Sequence, residues 1–351
     1  MAGNENRGRP EHVSLSTEID AEYTRETGKP PPSRRRKLTT LAIRLVVSGA
    51  MLWFLLIKIG GSEKPDLPPL DRSTGLWLAG AATLTLAGIV LSAVRWRTVL
   101  TALGEQSRLG RLLSHYLAGQ FVANVLPTTI GGDVLRVSRQ TRDSGHGPNS
   151  FASVVLERLT GWLVLPVMTF AGLLVNPGLR HLGRATQVAV SLAAGTLVLL
   201  AVVMVAVASA HYRDVDHEQG WRRFLAAVSL GIGQLRRHRG QAASVILVGF
   251  VYQLSLVGAA VMAAKAIGIP EAGPTALLAF FPAVAIAQVL PISISGLGVR
   301  EGLFVLFLRP LDVPTHQAVA LGLLLYLLNL VVSLLGAPAF ALGNRTHGAP
   351  A

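Results

Sequence analysis

The chain has 351 residues, of which 51% are hydrophobic and only 15% are charged, and it contains no cysteine. This small charged fraction, combined with long apolar runs, excludes an ordinary soluble domain, and the lack of cysteine excludes disulfides, thiolate metal sites and thiol nucleophiles. The formal charge of +13 does not indicate a nucleic acid partner, because the basic residues lie between apolar segments. We therefore expect an all-α polytopic membrane protein.

The chain begins with a polar tail, residues 1–37, which contains three successive prolines and ends in a basic cluster at 34–37. This composition predicts a disordered cytoplasmic tail whose basic end contacts anionic lipid. The tail is not a secretory signal peptide, because the first apolar stretch begins only at Leu38 and is too long for one.

Eight apolar segments follow, each near the roughly 20 residues that cross the hydrocarbon core of a bilayer. Six are predicted spans, at 38–59, 75–94, 151–175, 187–210, 243–264 and 316–341. The other two, 109–130 and 275–298, are interrupted by proline and glycine. The predicted membrane domain is 38–342, and a short tail, 343–351, follows it.

One sequence motif begins in each interrupted segment and runs past its end: residues 126–136 read LPTTIGGDVLR and residues 290–300 read LPISISGLGVR. Subtracting 127 from 291, the two prolines, gives an offset of 164. Four further pairs align at this offset: Asn124 with Gln288, Thr129 with Ser293, Gly132 with Gly296, and Arg136 with Arg300. Paired interruptions in two halves of a membrane protein indicate the binding site of a transporter built from inverted repeats. The alternative is two unrelated turns.

Lysine and arginine are distributed unevenly between these segments. Twenty-one of them fall in the N-terminal tail and in 95–111, 133–150 and 211–241, and seven fall in 60–74, 176–186, 265–274 and 299–315. The positive-inside rule therefore places the first group, and the N-terminus, in the cytoplasm. Segment 109–130 would then enter and leave the membrane on the cytoplasmic side, and 275–298 would do so on the opposite side.

The predicted topology of this cell-membrane protein is six spanning helices plus two re-entrant hairpins in an inverted-repeat bundle. Repeat 1 would cover about 38–175 and repeat 2 about 187–341. A plain bundle of eight spans is the alternative. The basic segment 211–241 is predicted to form an amphipathic helix at the membrane surface.

The hairpin tips predict an anion site, because free N–H groups at a helix start favour an anion and an arginine suits a phosphate. The candidate substrate-binding residues of the first hairpin are Asn124, Thr129, Gly131, Gly132, Asp133 and Arg136. Those of the second are Gln288, Ser293, Ser295, Gly296, Gly298, Arg300 and Glu301.

Glu157 and Arg158 complete the candidate set, because charges within an apolar span are expected to face the bundle interior and to be paired. Neighbouring helix residues point about 100° apart. We therefore expect Glu157 to pair with Arg136, or Arg158 with Asp133. A purely structural alternative pairs Arg136 with Asp133 and Arg300 with an acid such as Glu301, and makes Asp133 a helix N-cap.

No enzymatic motif accompanies these residues. The sequence has no phosphate-binding loop, no serine nucleophile elbow and no histidine spacing typical of a metal site. We expect no catalytic residue, metal or cofactor. Any movement of a substrate is expected to be passive or to be coupled to ions or to the membrane potential.

In these residues the chain resembles the flippase-like integral membrane family named after the transmembrane region of lysylphosphatidylglycerol synthase. Four features carry the resemblance: Asn124 before Leu-Pro, Gly131-Gly132-Asp133 with Arg136, Glu157-Arg158-Leu159 with Gly161, and the phrase from Pro291 to Glu301. The family usually shows Asp-Arg at the third of these. The resemblance covers about 38–342 and implies a flippase for a lipid or lipid-linked headgroup in the bacterial cytoplasmic membrane. Aminoacylated phosphatidylglycerol, hopanoids and polyprenyl-linked sugars are all linked to the family, so it does not fix the substrate.

Ten residues follow Ala341. The soluble domain that transfers lysine in the synthase is therefore expected to be missing, and lysyl transfer by this chain alone is not expected. Two alternatives stay open: a membrane-embedded transferase on a lipid carrier with Asp133 or Glu157 as base, and a non-transporting scaffold for a cell-envelope enzyme. The expected partner is a membrane phospholipid or lipid-linked substrate, and the sequence does not fix the oligomeric state.

Overall fold

The structure, a computed structural model, describes residues 71–125, 131–209, 221–289 and 296–342, together with Thr39 and Trp53. Throughout these ranges the regular structure is helical. The helices are α1 Arg72–Ala102, α2 Leu109–Val125, α3 Gly131–Ser144, α4 Gly147–Val175, α5 Arg184–Ser209, α6 Trp221–Arg237, α7 Arg239–Ala266, α8 Pro274–Gln288, α9 Val299–Leu308, α10 Thr315–Leu334 and α11 Gly336–Leu342.

Five helical stretches in the described ranges are long and apolar enough to cross a bilayer. They are Arg72–Ala102, Gly147–Val175, Arg184–Ala208, Arg239–Ala266 and Thr315–Leu342, the last of which joins α10 and α11. They correspond to five of the six predicted spans, and the sixth, 38–59, lies almost entirely outside the described residues. The predicted class, an all-α polytopic membrane protein, is confirmed, and the number of spans stays a prediction.

The first of these helices is longer than its predicted span, 75–94. Asp71 starts α1, because its carboxylate accepts a hydrogen bond from the backbone N–H of Thr74 at 2.7 Å. The helix then continues about two turns beyond residue 94 and buries Arg95 and Trp96. These two residues, predicted to begin a cytoplasmic loop, belong to the protein interior instead.

Helices α1 and α7 pack against each other and run in opposite directions. As the α1 residue number rises the α7 number falls, in the contacts Trp77 with Lys265, Gly80 with Met262, Gly88 with Ser255 and Arg95 with Gly249. Adding 164 to 72, the start of α1, gives 236, and α7 begins at 239. These two helices, which occupy equivalent positions of the predicted repeats, are therefore antiparallel, as expected for an inverted repeat.

Helices α2 and α3 form a hairpin around the first interrupted segment. At its base the Gln140 amide donates to the Ser107 hydroxyl at 3.0 Å, and nearer the tip Gly119 and Gly132 bring the two backbones into contact. The chain therefore enters and leaves this hairpin at the same end. With 17 residues, α2 rises only about 26 Å, less than the roughly 30 Å of the hydrocarbon core.

Helices α8 and α9 form the equivalent hairpin of the second repeat. The ring of Phe280 stacks on that of Phe307 with centroids 4.9 Å apart, and Arg300 at the start of α9 reaches back to Gln288 at the end of α8. Both tips, 126–130 and 290–295, lie outside the described residues. Whether these two hairpins re-enter the membrane or cross it stays a prediction.

Helix α6 corresponds to the basic segment predicted to lie at the membrane surface. Trp221 at its start is exposed, whereas Arg223 is buried and lies over the ring of Phe151 at 4.3 Å. Gly231 packs directly on Leu156 of α4. One face of α6 is thus packed on the bundle, and residues 239–241, predicted to belong to this segment, are the first turn of α7.

Candidate functional site

Residues of both repeats line a cavity of about 350 Å³. Repeat 1 contributes residues of α1 to α4, and repeat 2 contributes residues of α7 to α10. Ile89 of α1 and Gln253 of α7 both line it, and they are equivalent because 89 plus 164 gives 253. At least one pair of equivalent positions of the predicted repeats therefore contributes to this cavity.

The cavity has an excess of positive charge. Four arginines line it, Arg95, Arg136, Arg158 and Arg300, and Glu157 is the one carboxylate among its described lining residues. All are buried except Arg158, whose side chain is 46% exposed. Even when the adjacent Asp133 and Glu301 are counted, guanidinium groups outnumber carboxylates by four to three, so the cavity favours an anion.

Glu157 lies between two of these arginines. Its Oε1 accepts a hydrogen bond from Arg95 Nη2, and its Oε2 accepts from both terminal nitrogens of Arg136 at 3.2 Å. Nε and Nη1 of Arg95 and Nε of Arg136 have no hydrogen-bond partner among the described residues. Because buried donors without partners are costly, these N–H groups are suited to bind a ligand.

Aromatic rings hold the guanidinium group of Arg136 in place. Its Cζ lies 4.4 Å from the centre of the Trp96 ring and 4.3 Å from that of Tyr116. The indole N–H of Trp96 donates to the Ser153 hydroxyl at 2.8 Å, which fixes the Trp96 ring. Contact with aromatic rings restricts the orientation of Arg136 and adds cation–π attraction.

The position of Arg95 depends on two glycines of neighbouring helices. A Cβ at Gly161 of α4 would lie 3.2 Å from Arg95 Nη1, and one at Gly249 of α7 would lie 3.5 Å from it. The guanidinium group also lies over the Tyr252 ring at 5.2 Å. Arg95 was not among the predicted site residues, because the predicted span ends at residue 94, although the apolar residues beyond Arg97 could have extended the helix.

Arg300 forms the opposite wall of the cavity. Its Nε donates to Gln288 Oε1 at 3.1 Å, and its Nη1 donates to the carbonyl oxygen of Gly322 at 3.4 Å. Glu301, the acid proposed as its structural partner, accepts a hydrogen bond from the backbone N–H of Gly298 at 2.6 Å and caps α9. Gly298 has a φ of 83°, which favours glycine at this position.

Both predicted ion pairs are present. Arg136 pairs with Glu157, and Arg158 pairs with Asp133, so two neighbouring charges of α4 reach two different residues of α3. The structural alternative is present as a longer contact, since Arg136 Nη1 lies 3.6 Å from Asp133 Oδ1. Asp133 is not an N-cap, because it lies inside the first turn of α3.

The predicted site residues divide into four groups. Those that line the cavity are Arg136, Glu157, Arg158, Gln288 and Arg300. Those beside the lining are Asp133, Glu301 and Asn124, whose Oδ1 accepts from the lining residue Asn329 at 3.1 Å. Those at helix starts are Gly131, Gly132, Gly296 and Gly298. Thr129, Ser293 and Ser295 lie outside the described residues.

Several polar lining residues were not among the predicted site residues. They are Arg95, Tyr116, Gln120, Tyr252, Gln253 and Asn329. A polar side chain inside an apolar helix is a signal of an interior site, and the three amides show it. In the described part of the chain no group of three or more His, Asp or Glu side chains is placed to hold a metal ion.

The fold and the cavity together define an all-α polytopic membrane protein with a basic site between its two halves. The family model described as the lysylphosphatidylglycerol synthase TM region matches residues 41–336, and the chain belongs to that family. It is thus a membrane protein related to lipid modification or transport. A comparison with curated proteins found no match.

Proposed function

We propose that this protein is a lipid flippase or transporter that moves a phosphate-bearing lipid, or a lipid-linked headgroup, between the leaflets of the bacterial cytoplasmic membrane. The observation that carries the proposal is the buried surplus of guanidinium groups around a cavity lined by both repeats. Buried arginines within a membrane domain are costly unless they are paired, and those that are retained mark substrate pathways.

The chemistry of the cavity matches a phosphate group. A guanidinium group donates two parallel hydrogen bonds to a phosphate, and Arg95 and Arg136 both keep N–H groups that have no partner in the described structure. Arg300 lies on the wall contributed by the other repeat. A headgroup held between these walls would be shielded from the hydrocarbon while its acyl chains remain in lipid.

The test is reconstitution into liposomes that contain phosphatidylglycerol with a fluorophore on one acyl chain. Quenching of the outer leaflet by a membrane-impermeant reductant reports the rate at which the labelled lipid changes leaflet. We expect wild-type protein to accelerate this exchange, and Arg95→Gln and Arg300→Gln to slow it about tenfold or more, since each removes a charged hydrogen-bond donor.

Arg97→Gln is the matched control for Arg95→Gln, because Arg97 lies two residues further along α1 and is exposed. It should keep the wild-type rate. A wild-type rate no higher than that of protein-free liposomes would refute the proposal. Mass spectrometry of the recovered lipid should show an unchanged mass, whereas a covalently altered lipid would support a transferase instead.

A further inference from the structure

Gln253 is a buried amide whose position the ion pairs of the cavity do not explain. It lies on α7, is 6% exposed and lines the cavity. Its Oε1 is buried and has no hydrogen-bond partner among the described residues. An acceptor buried without a partner is costly, so this oxygen is suited to accept a hydrogen bond from a ligand.

Among the fully buried carboxylate and amide oxygens that line the cavity, only Gln253 Oε1 has no hydrogen-bond partner in the described residues, and Glu301 Oε1, which also has none, lies beside the lining. Glu157 accepts from Arg95 and Arg136 with its two oxygens, and Gln288 Oε1 accepts from Arg300. The arginines themselves can only donate. A ligand that carries a hydrogen-bond donor therefore finds its free buried acceptor, within the described lining, at Gln253.

Gln253 also lies close to an unpartnered part of Arg95. Gly249, one helical turn before Gln253, leaves the space that the Arg95 guanidinium group occupies. Residues four apart on a helix have Cβ atoms about 6 Å apart. The Arg95 guanidinium group and Gln253 thus lie at the same face of α7, one turn apart, so that one ligand can reach both.

We propose that Gln253 is a specificity-determining residue that accepts a hydrogen bond from a hydroxyl of the lipid headgroup. The substrate class is then an anionic phosphodiester lipid whose headgroup carries a free hydroxyl. This inference rests on the proposed function and narrows it. A site built to bind a substrate hydroxyl discriminates against the analogue that lacks it, because its polar group is then left without a partner.

The experiment compares phosphatidylglycerol with phosphatidylethanol, each with the same fluorescent acyl chains, in liposomes with reconstituted full-length protein. Both lipids carry one negative charge, and only the first has headgroup hydroxyls. Wild-type protein should move phosphatidylglycerol about tenfold faster, the effect expected for one neutral hydrogen bond. Gln253→Leu should slow phosphatidylglycerol by a similar factor and so abolish the preference.

Gln241→Leu is the matched control. Gln241 lies on the same helix and also has a buried amide oxygen without a partner, but it does not belong to the cavity lining. This variant should keep the preference. Equal wild-type rates for the two lipids, or a preference that survives Gln253→Leu, would overturn the inference while the flippase proposal stands. If wild-type protein moves neither lipid, the flippase proposal fails and takes this inference with it.

Discussion

Gly172 and Gly336, which are 164 residues apart, each bring a spanning segment of one repeat against a short hairpin helix of the other. Gly172 of α4 contacts the backbone of Ala279 in α8, and Gly336 of α11 contacts the carbonyl group of Leu117 in α2. Leu117 is equivalent to residue 281, two positions from Ala279. Reciprocal contacts of this kind are a property of two units related by a twofold axis.

A side chain at either glycine should therefore loosen the contact between the repeats. In Gly172→Ala and Gly336→Ala the added methyl group would meet backbone atoms that cannot move away. We expect a loss of about 1–3 kcal/mol in the free energy of unfolding, as for other overpacked sites. Thermal melting in detergent measures it. Gly195→Ala in α5 adds a methyl group in open space and should not lower the melting temperature. Equal melting of all three variants would contradict the packing described.

Removal of the Glu157 carboxylate should destabilise the membrane domain. In Glu157→Gln two buried guanidinium groups, those of Arg95 and Arg136, lose their counter-charge. The expected loss is about 3–5 kcal/mol in the free energy of unfolding. For comparison, Arg111→Gln breaks an ion pair whose arginine is 58% exposed, and should cost less than about 1 kcal/mol. Denaturant unfolding in detergent measures both losses. Equal losses of unfolding free energy in the two variants would refute the buried pairing.

Asp133 and Arg158 should be energetically coupled. Their side chains form an ion pair between α3 and α4, so the effects of Asp133→Asn and Arg158→Gln should not add in the double variant. We expect a coupling energy of about 1 kcal/mol, measured from the four melting curves of a double-mutant cycle. Arg139→Gln provides the control, because Arg139 donates to the carbonyl groups of Ala339 and Phe340 instead. Its effect should add to that of Asp133→Asn.

The predicted topology can be tested with single cysteines, because the natural chain has none. Ser73→Cys and Glu271→Cys should react in intact cells with a membrane-impermeant maleimide. Gln106→Cys, His146→Cys and Gly240→Cys should react only after the cells are opened, because the positive-inside rule places these positions in the cytoplasm.

The pair Gln106 and His146 decides between the two topologies, because these residues flank the α2–α3 hairpin. Labelling of His146→Cys from outside, with Gln106→Cys protected, would mean that segment 109–130 crosses the membrane once. That outcome would support the bundle of eight spans. The exposed side chain of His146 makes its thiol a suitable probe.

Hydropathy and charge were sufficient to predict the class of the protein, because apolar length and loop charge are local properties of the sequence. The pairings of Glu157 and Arg158 also followed from local geometry, since adjacent helix residues must point in different directions. Arg95 could not be found in this way. Its burial depends on space left by Gly161 and Gly249 on two other helices, and that space exists only once the helices pack.

The second hairpin shows the same limit. Gly298, predicted as a site residue, precedes α9 with a φ of 83°, a backbone conformation that favours glycine. The role of Glu301 as the cap of α9 was not predicted, because the neighbouring Arg300 was the expected partner of its carboxylate. The local backbone conformation decides which of two nearby groups a carboxylate binds. This choice cannot be read from a single sequence.

The antiparallel pairing of α1 and α7 has a consequence for the direction of the proposed transport. The two halves share a backbone plan, but the carboxylates Asp133 and Glu157 have leucines, Leu297 and Leu321, at the equivalent positions. In the proposed transport, an anion on the side of α3 and α4 would compete with acids already bound to arginine, whereas on the side of α9 it would meet Arg300 bonded to an amide and a backbone carbonyl. Two similar halves with chemically different faces would thus give the proposed transport a preferred direction.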